Sequence, residues 1–209
     1  MGKLFFYMIY PVKTPAILPK LYPSLIWNMS REERVLYLTF DDGPSPEITE
    51  KVINILDKYN VKACFFLIGD KVNRYPELFK LLQSKGHQIG NHTYNHLNGW
   101  RSSTSDYLAN FKQCEKLVDS NLFRPPYGRI KSSQIKALKE QTIIMWDVLS
   151  GDFDSNLTPK GCLKNLTDNV ENGSIIVMHD SKKSEEKVLY ALPIFLDWAK
   201  KEGYTFGLF

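Results

Sequence analysis

From residue 35 onward the chain alternates two kinds of text. Short runs rich in β-branched and aromatic residues alternate with longer stretches whose apolar positions recur every three or four residues. The first kind predicts strands and the second helices, because side chains repeat every two residues along a strand and every 3.6 along a helix. Strands are expected at 35–40, 63–68, 88–91, 142–146, 174–178 and 204–208. Helices are expected at 46–60, 76–85, 104–119, 131–140, 160–171 and 185–201. The helix at 46–60 carries Ile48, Val52, Ile55 and Leu56 on one side; that at 104–119 carries Tyr107, Leu108, Phe111, Leu117 and Val118. Residues 63–68 are continuously apolar, which fits a strand buried on both faces.

Strand followed by helix, repeated about six times, predicts an α/β protein with parallel strands and right-handed crossovers. An open doubly wound sheet and a β/α barrel both satisfy that pattern. In either one a ligand site lies beyond the C-terminal ends of the strands. No G-x-G-x-x-G follows the first strand, so a dinucleotide site has no support. Residues 1–34, with Pro11, Pro15, Pro19 and Pro23, read as an irregular lead-in, and 35–209 as the single α/β domain that would carry any site. The apolar stretch from Leu4 to Tyr10 is too short to cross a bilayer and reads as a packed segment, with an export signal or surface anchor as the alternative. No A-x-A cleavage site follows it, which leans toward the cytoplasm and leaves the periplasm and cell envelope open.

Composition narrows this further. At 209 residues with 43% apolar content, the chain is long enough to bury a core without disulfides or a structural metal. A net charge of +4 with no block of like charges excludes a dedicated nucleic-acid binder. The Lys182-Lys183 pair reads as a solvated face. Three scattered cysteines make neither a zinc-thiolate set nor a disulfide framework. A monomer is the expected state.

Four strand ends run into polar residues: Asp41-Asp42-Gly43-Pro44; His92-Thr93-Tyr94-Asn95-His96; Asp147 with Asp152 after it; and His179-Asp180. Each alone has a plain structural reading as an Asx turn or a surface histidine. Their joint occurrence at strand ends points to one site. The four-residue spacing of His92 and His96 would put both rings on one face of a helical turn. An oxygen ligand from Asp41 or Asp42 would complete a two-histidine, one-carboxylate metal site with positions left open. Adjacent strand residues point in opposite directions, but a turn at Gly43-Pro44 could bring both carboxylates into one pocket. His87 is taken as structural and Trp146 as core. Trp100, in the loop after the histidines, is a candidate for stacking on a ring of the ligand.

These segments, together with Arg124-Pro125-Pro126-Tyr127-Gly128, resemble the five ordered motifs of the polysaccharide deacetylases, the NodB-homology or carbohydrate esterase 4 family. The resemblance implies a distorted, incomplete (β/α) barrel. It implies that Asp42, His92 and His96 hold a divalent metal, zinc first, with cobalt or nickel as alternatives. Asp41 would be the general base, and His179 the general acid toward the leaving amine. Arg124 would pair with and aim Asp41, Asp152 would pair with His179, and the backbone N–H of Tyr127 would hold the oxyanion. The substrate would be an N-acetylated oligo- or polysaccharide, of chitooligosaccharide or peptidoglycan type, with acetate released. Three positions depart from the family pattern: Leu149 where another aspartate is usual, Phe153 where tryptophan is usual, and Val177 where leucine is usual. The alternatives are an O-acetyl esterase acting on a polymer such as xylan and an inactive sugar-binding relative. A two-carboxylate glycosidase is disfavoured, since it has no use for the histidine pair.

Overall fold

β1 (Val35–Asp41) is the centre of the architecture. Its residues alternate: Leu36, Leu38 and Phe40 pack in the large cluster beneath the helices, while Tyr37, Thr39 and Asp41 face the other side. Both faces are covered, which is why the strand reads as almost continuously apolar. Burying each of those three side chains contributes roughly 1.5–3 kcal/mol. The computed structural model describes residues 10–209. Of the apolar stretch noted at residues 4–10, all but Tyr10 lies outside the described residues.

Seven further strands follow: β2 (Cys64–Leu67), β3 (Gln88–Asn91), β4 (Leu122–Phe123), β5 (Thr142–Ile143), β6 (Val148–Leu149), β7 (Ile175–His179) and β8 (Thr205–Phe206). Their spatial order is β5-β4-β3-β2-β1-β7-β6, with β8 added to β1, and every pairing is parallel. The helices are α1 (Ile17–Leu21), α2 (Thr49–Lys58), α3 (Gly69–Arg74), α4 (Pro76–Ser84), α5 (Thr104–Glu115), α6 (Ser132–Ala137), α7 (Pro159–Thr167) and α8 (Glu185–Lys201). The sheet is the expected incomplete barrel: β5 and β6 do not pair with each other.

The lead-in covers that opening. Ile26 donates to Ile143 O at 2.9 Å and accepts from Met145 N–H at 2.7 Å, and Leu149 N–H donates to Val12 O at 2.8 Å. Asp147 fastens the same segment, taking Lys13 Nζ at 2.8 Å, Arg31 at 3.1 Å and Ser174 Oγ at 2.6 Å. Asp147 therefore belongs to the frame and not to the site, although it follows a predicted strand end. The strand expected at 142–146 is interrupted here, because its backbone pairs with Ile26 as well as with β4. β4, β6 and α3 were not legible in the pattern, being two, two and six residues long.

Candidate active site

Strand periodicity puts Asp41 inside the barrel at the C-terminal end of β1. Asp42 then leaves the strand at φ 74°, in the left-handed region that aspartate tolerates better than most residues. That reversal is how two adjacent carboxylates come to line one cleft. Gly43 has no alternative: a Cβ there would sit 2.1 Å from Asp180 Oδ2. Lys71 of α3 holds the Asp42 carbonyl at 2.7 Å.

His92 and His96 follow β3, but on an irregular loop and not on the helical turn that their spacing suggested. Side-chain acceptors take the amides a helix would need. Asn91 Oδ1 accepts from Thr93 N–H at 2.8 Å, and Asn110 Oδ1 accepts from Tyr94 N–H at 2.9 Å and Asn95 N–H at 3.0 Å. Thr93 and His96 take positive φ, 62° and 55°. The rings nevertheless meet, with centroids 5.0 Å apart.

The Asp42, His92 and His96 donor atoms all lie within 4.8 Å of one another. Asp42 Oδ1 is 3.1 Å from His96 Nε2 and 3.8 Å from His92 Nε2. It is buried, yet accepts no well-directed hydrogen bond. Three donors converging on a shared point, with no good bond among them, is the geometry of a ligand set. His92 Nδ1 lies 2.7 Å from the Arg124 carbonyl, so Nδ1 donates and Nε2 keeps its lone pair for a cation. Burial pushes His92 down to about 4, against the pull of Asp41, so it is neutral at pH 7 as a metal ligand must be. Burial raises the Asp42 carboxyl, but His96 and the charge of His179 outweigh it and hold it well below the usual range. Two imidazoles and one carboxylate on an open cleft suit a divalent cation.

Arg124, just past β4, is fully buried. Its Nη1 donates to Asp41 Oδ1 at 2.7 Å and to Thr39 Oγ1 at 2.6 Å. Nε reaches Ile144 O at 3.2 Å and Nη2 reaches Met145 O at 2.9 Å. The guanidinium carbon lies 4.1 Å from the Phe66 ring centroid. Four of its five N–H donors are engaged, which fixes one Asp41 oxygen and leaves the other to the cleft.

His179 ends β7 and is the register partner of Asp41 on β1, so the two face the barrel interior side by side. Behind it sits the fully buried Asp152, which accepts His179 N–H at 2.6 Å and pairs with Nδ1 at 2.7 Å. Burial alone would lower His179, but the charge and hydrogen bond of Asp152 reverse that and carry it up to about 9. Phe153 lies edge-on to His179 at 5.3 Å and packs on Tyr10 at 5.0 Å. With Leu149 and Val177 it makes an apolar wall, so the three departures from the family pattern gather on one side of the cleft. Tyr127 sits at φ 60° with its ring 4.4 Å from that of His96. The cleft encloses about 410 Å³.

The eight residues to which the resemblance gave roles, Asp41, Asp42, His92, His96, Arg124, Tyr127, Asp152 and His179, thus fall in or directly behind one cleft, while Asp147 does not. Four were missed in part or whole. Thr39 braces Arg124 from an ordinary strand position. Lys71 grips the turn. Lys183 is solvated as expected, yet lines the cleft 3.5 Å from Asp42 Oδ2. Arg129 also lines the cleft, two residues after Tyr127. Trp146 is half-buried and contributes to the lining as well as to the core. His87 is buried against Phe65 away from the cleft.

A partly closed parallel barrel with this site defines a polysaccharide deacetylase. The family model of that name matches residues 28–146, more than half of the chain, and the protein belongs to the family. A peptidoglycan-N-acetylglucosamine deacetylase of Bacillus cereus is 36% identical over 189 residues, which cover 86% of this chain and 88% of the relative. The peptidoglycan-N-acetylglucosamine deacetylase PgdA of Listeria monocytogenes is 32% identical over 186 residues, 85% of this chain but only 38% of the relative. The crystal structure of the Bc1960 peptidoglycan N-acetylglucosamine deacetylase superposes with a TM-score of 0.86 at 28% identity, over 93% of this chain and 94% of that one.

Proposed function

We propose that this chain removes N-acetyl groups from N-acetylglucosamine-containing glycans of the peptidoglycan or chitooligosaccharide type, releasing acetate. The observation that carries the reading is the pairing across β1 and β7: a carboxylate held by Arg124 beside an imidazole held by Asp152, both next to a ligand set. Asp42, His92 and His96 are the residues that would hold a divalent cation, zinc or alternatively cobalt or nickel. Such an ion supplies Lewis acidity toward the amide carbonyl.

The protein's own groups account for the proton movements. The free oxygen of Asp41 takes a proton from the attacking water as general base. The water oxygen bonds to the acetyl carbon, and the Tyr127 backbone N–H is assigned to the oxyanion that results. His179, protonated at neutral pH, gives its proton to the nitrogen as the carbon–nitrogen bond breaks. Acetate and a free amine leave. The apolar wall of Leu149, Phe153 and Val177 suits an acetyl methyl group and gives water no partner there.

The test is acetate release from chitotetraose, peptidoglycan and acetylated xylan by the zinc-loaded protein. Release from the two N-acetylated glycans is expected. Release from xylan alone would replace the reading with an O-acetyl esterase, and none from any of them would leave a binding protein.

A further inference from the structure

Of the described residues before β1, only Tyr10 and Pro11 line the cleft. They reach it by register. Residues 12–14 run antiparallel to β6 and the residue before it: Thr14 N–H donates to Asp147 O at 2.8 Å, Lys13 bridges Val148, and Leu149 N–H donates to Val12 O at 2.8 Å. Each step back along the lead-in is therefore a step forward past the end of β6. That register carries Tyr10 to the level of Gly151, on the rim where β1 ends at Asp41 and β7 at His179.

Tyr10 is locked into that rim. Its hydroxyl donates to Asp154 Oδ2 at 3.2 Å, across a turn in which Asp154 N–H donates to Gly151 O at 2.9 Å. Burial first, and then the Asp154 charge, raise the phenol above its usual value, so it keeps the proton it donates. Gly151 sits at φ 76°, and a Cβ there would lie 2.5 Å from the Tyr10 hydroxyl oxygen, so the turn needs glycine on both counts. The Tyr10 ring packs on Phe153 with centroids 5.0 Å apart, and Phe153 lies 5.3 Å from His179. A chain of ring contacts thus runs from His179 through Phe153 to Tyr10, and its last member belongs to the lead-in and not to the barrel.

Tyr10 has no part in the proton transfers, so its effect on the reaction is one of space. The wall assigned to the acetyl methyl consists of Leu149, Phe153 and Val177, and the Tyr10 ring adjoins it. A ring held both at its hydroxyl and on its face yields little, and a pocket bounded by such a group rejects added methylenes. We propose that Tyr10 sets the acyl-length limit of the site: it ends the apolar wall at the size of an acetyl group and excludes propionyl and longer N-acyl sugars. This rests on the deacetylase reading and deepens it by naming the acyl group removed.

Chitotetraose bearing N-acetyl, N-propionyl or N-butyryl groups serves as the substrate series, with the free acid released as the readout. Wild type should lose roughly 10-fold or more in kcat/KM for each added methylene. Tyr10→Ala should narrow the acetyl-to-butyryl ratio by roughly 10-fold or more, while Tyr10→Phe, which keeps the ring and loses the Asp154 bond, should hold it within about 3-fold. Tyr10→Leu should fall between them, and it carries the test if Tyr10→Ala does not fold. A residue that only braced the turn would lower all three substrates alike. A ratio unmoved in Tyr10→Ala and Tyr10→Leu, or a wild type that takes the three acyl groups equally, therefore overturns the inference. Binding gives a readout without turnover: calorimetric titration of the zinc-loaded protein with aceto-, propiono- and butyrohydroxamate should rank acetyl first in wild type, and Tyr10→Ala should level or reverse that order. An order that Tyr10→Ala leaves intact counts against Tyr10 in the same way. Release of no acid from any of the three glycans, with the hydroxamate order still moved by Tyr10→Ala, overturns the deacetylase reading alone.

Discussion

Replacing Arg124 by Met tests the frame of the site most directly. Arg124 is fully buried and donates four hydrogen bonds, to Asp41, Thr39, Ile144 and Met145. Methionine has a similar apolar stem, so little packing is lost. Asp41, itself 4% exposed, is left as a buried charge with no partner. Breaking a buried pair from one side costs about 3–5 kcal/mol. Two carbonyls also lose their donors, at about 1–3 kcal/mol each if water cannot reach them. The loss approaches the whole stability of a typical domain, about 5–15 kcal/mol. Adding Asp41→Asn removes the stranded charge. The double variant should therefore be less unstable than the sum of the two singles, by roughly 2–3 kcal/mol of coupling. Arg124→Lys, which keeps the charge but not the fork, should fall between wild type and Met. The assay is urea unfolding of metal-free protein at pH 7, with circular dichroism and tryptophan fluorescence required to give coincident transitions. A loss below about 1 kcal/mol for Arg124→Met, or additivity within about 0.5 kcal/mol across the cycle, would refute the reasoning.

Elemental analysis should find one divalent ion per chain in Asp41→Asn and substantially less in Asp42→Ala, His92→Ala and His96→Ala, while turnover in Asp41→Asn falls by about 100-fold or more; full activity in that variant would end the general-base assignment. His179 must carry its proton to serve as the acid, so kcat/KM should decline as pH rises through about 9, and Asp152→Asn should shift that limb to lower pH. Because its folded value is raised, the His179–Asp152 pair lends stability that is complete below the unfolded value of about 6.5 and is lost as pH rises through about 9, so the stability gap between wild type and Asp152→Asn should narrow above that pH. Gly43→Ala should reduce both stability and metal content, since its Cβ would overlap the fully buried Asp180 carboxyl, which has no room to retreat; unchanged metal stoichiometry would show that the turn is not what places Asp42.

The parts of the fold that the pattern made legible are those decided by local burial. β1, β2, β7 and α8 were found because both faces of each strand, or one stripe of the helix, are apolar over several residues. β4 and β6 were not, because each is two residues with no longer apolar run around it in the pattern, and they are strands by pairing with β3 and β7. The role of residues 10–34 was illegible for a related reason. Prolines and mixed polarity read as irregular, and apart from the short α1 the segment is irregular; its order comes from bonds to Ile143, Met145 and Leu149, far along the chain.

The site divides the same way. Its donors were visible because a charged or imidazole side chain just past a buried strand is conspicuous, and the barrel puts all such ends on one rim. What aims them was not visible. The helical turn inferred for His92 and His96 failed because Asn91 and Asn110 take the loop amides, and no spacing rule reports a competing acceptor on another element. Lys183 and Arg129 were passed over because a cation near the surface looks the same in sequence whether it faces bulk water or a cleft. The two faces differ only once β1 and β7 lie side by side, bringing Asp41 and Asp42 next to the loop after His179. The chemistry of this protein is therefore written in residue types at strand ends. What aims those residues is written in register, which sets Asp41 beside His179 across β1 and β7, and in acceptors on other elements, and sequence alone could supply neither.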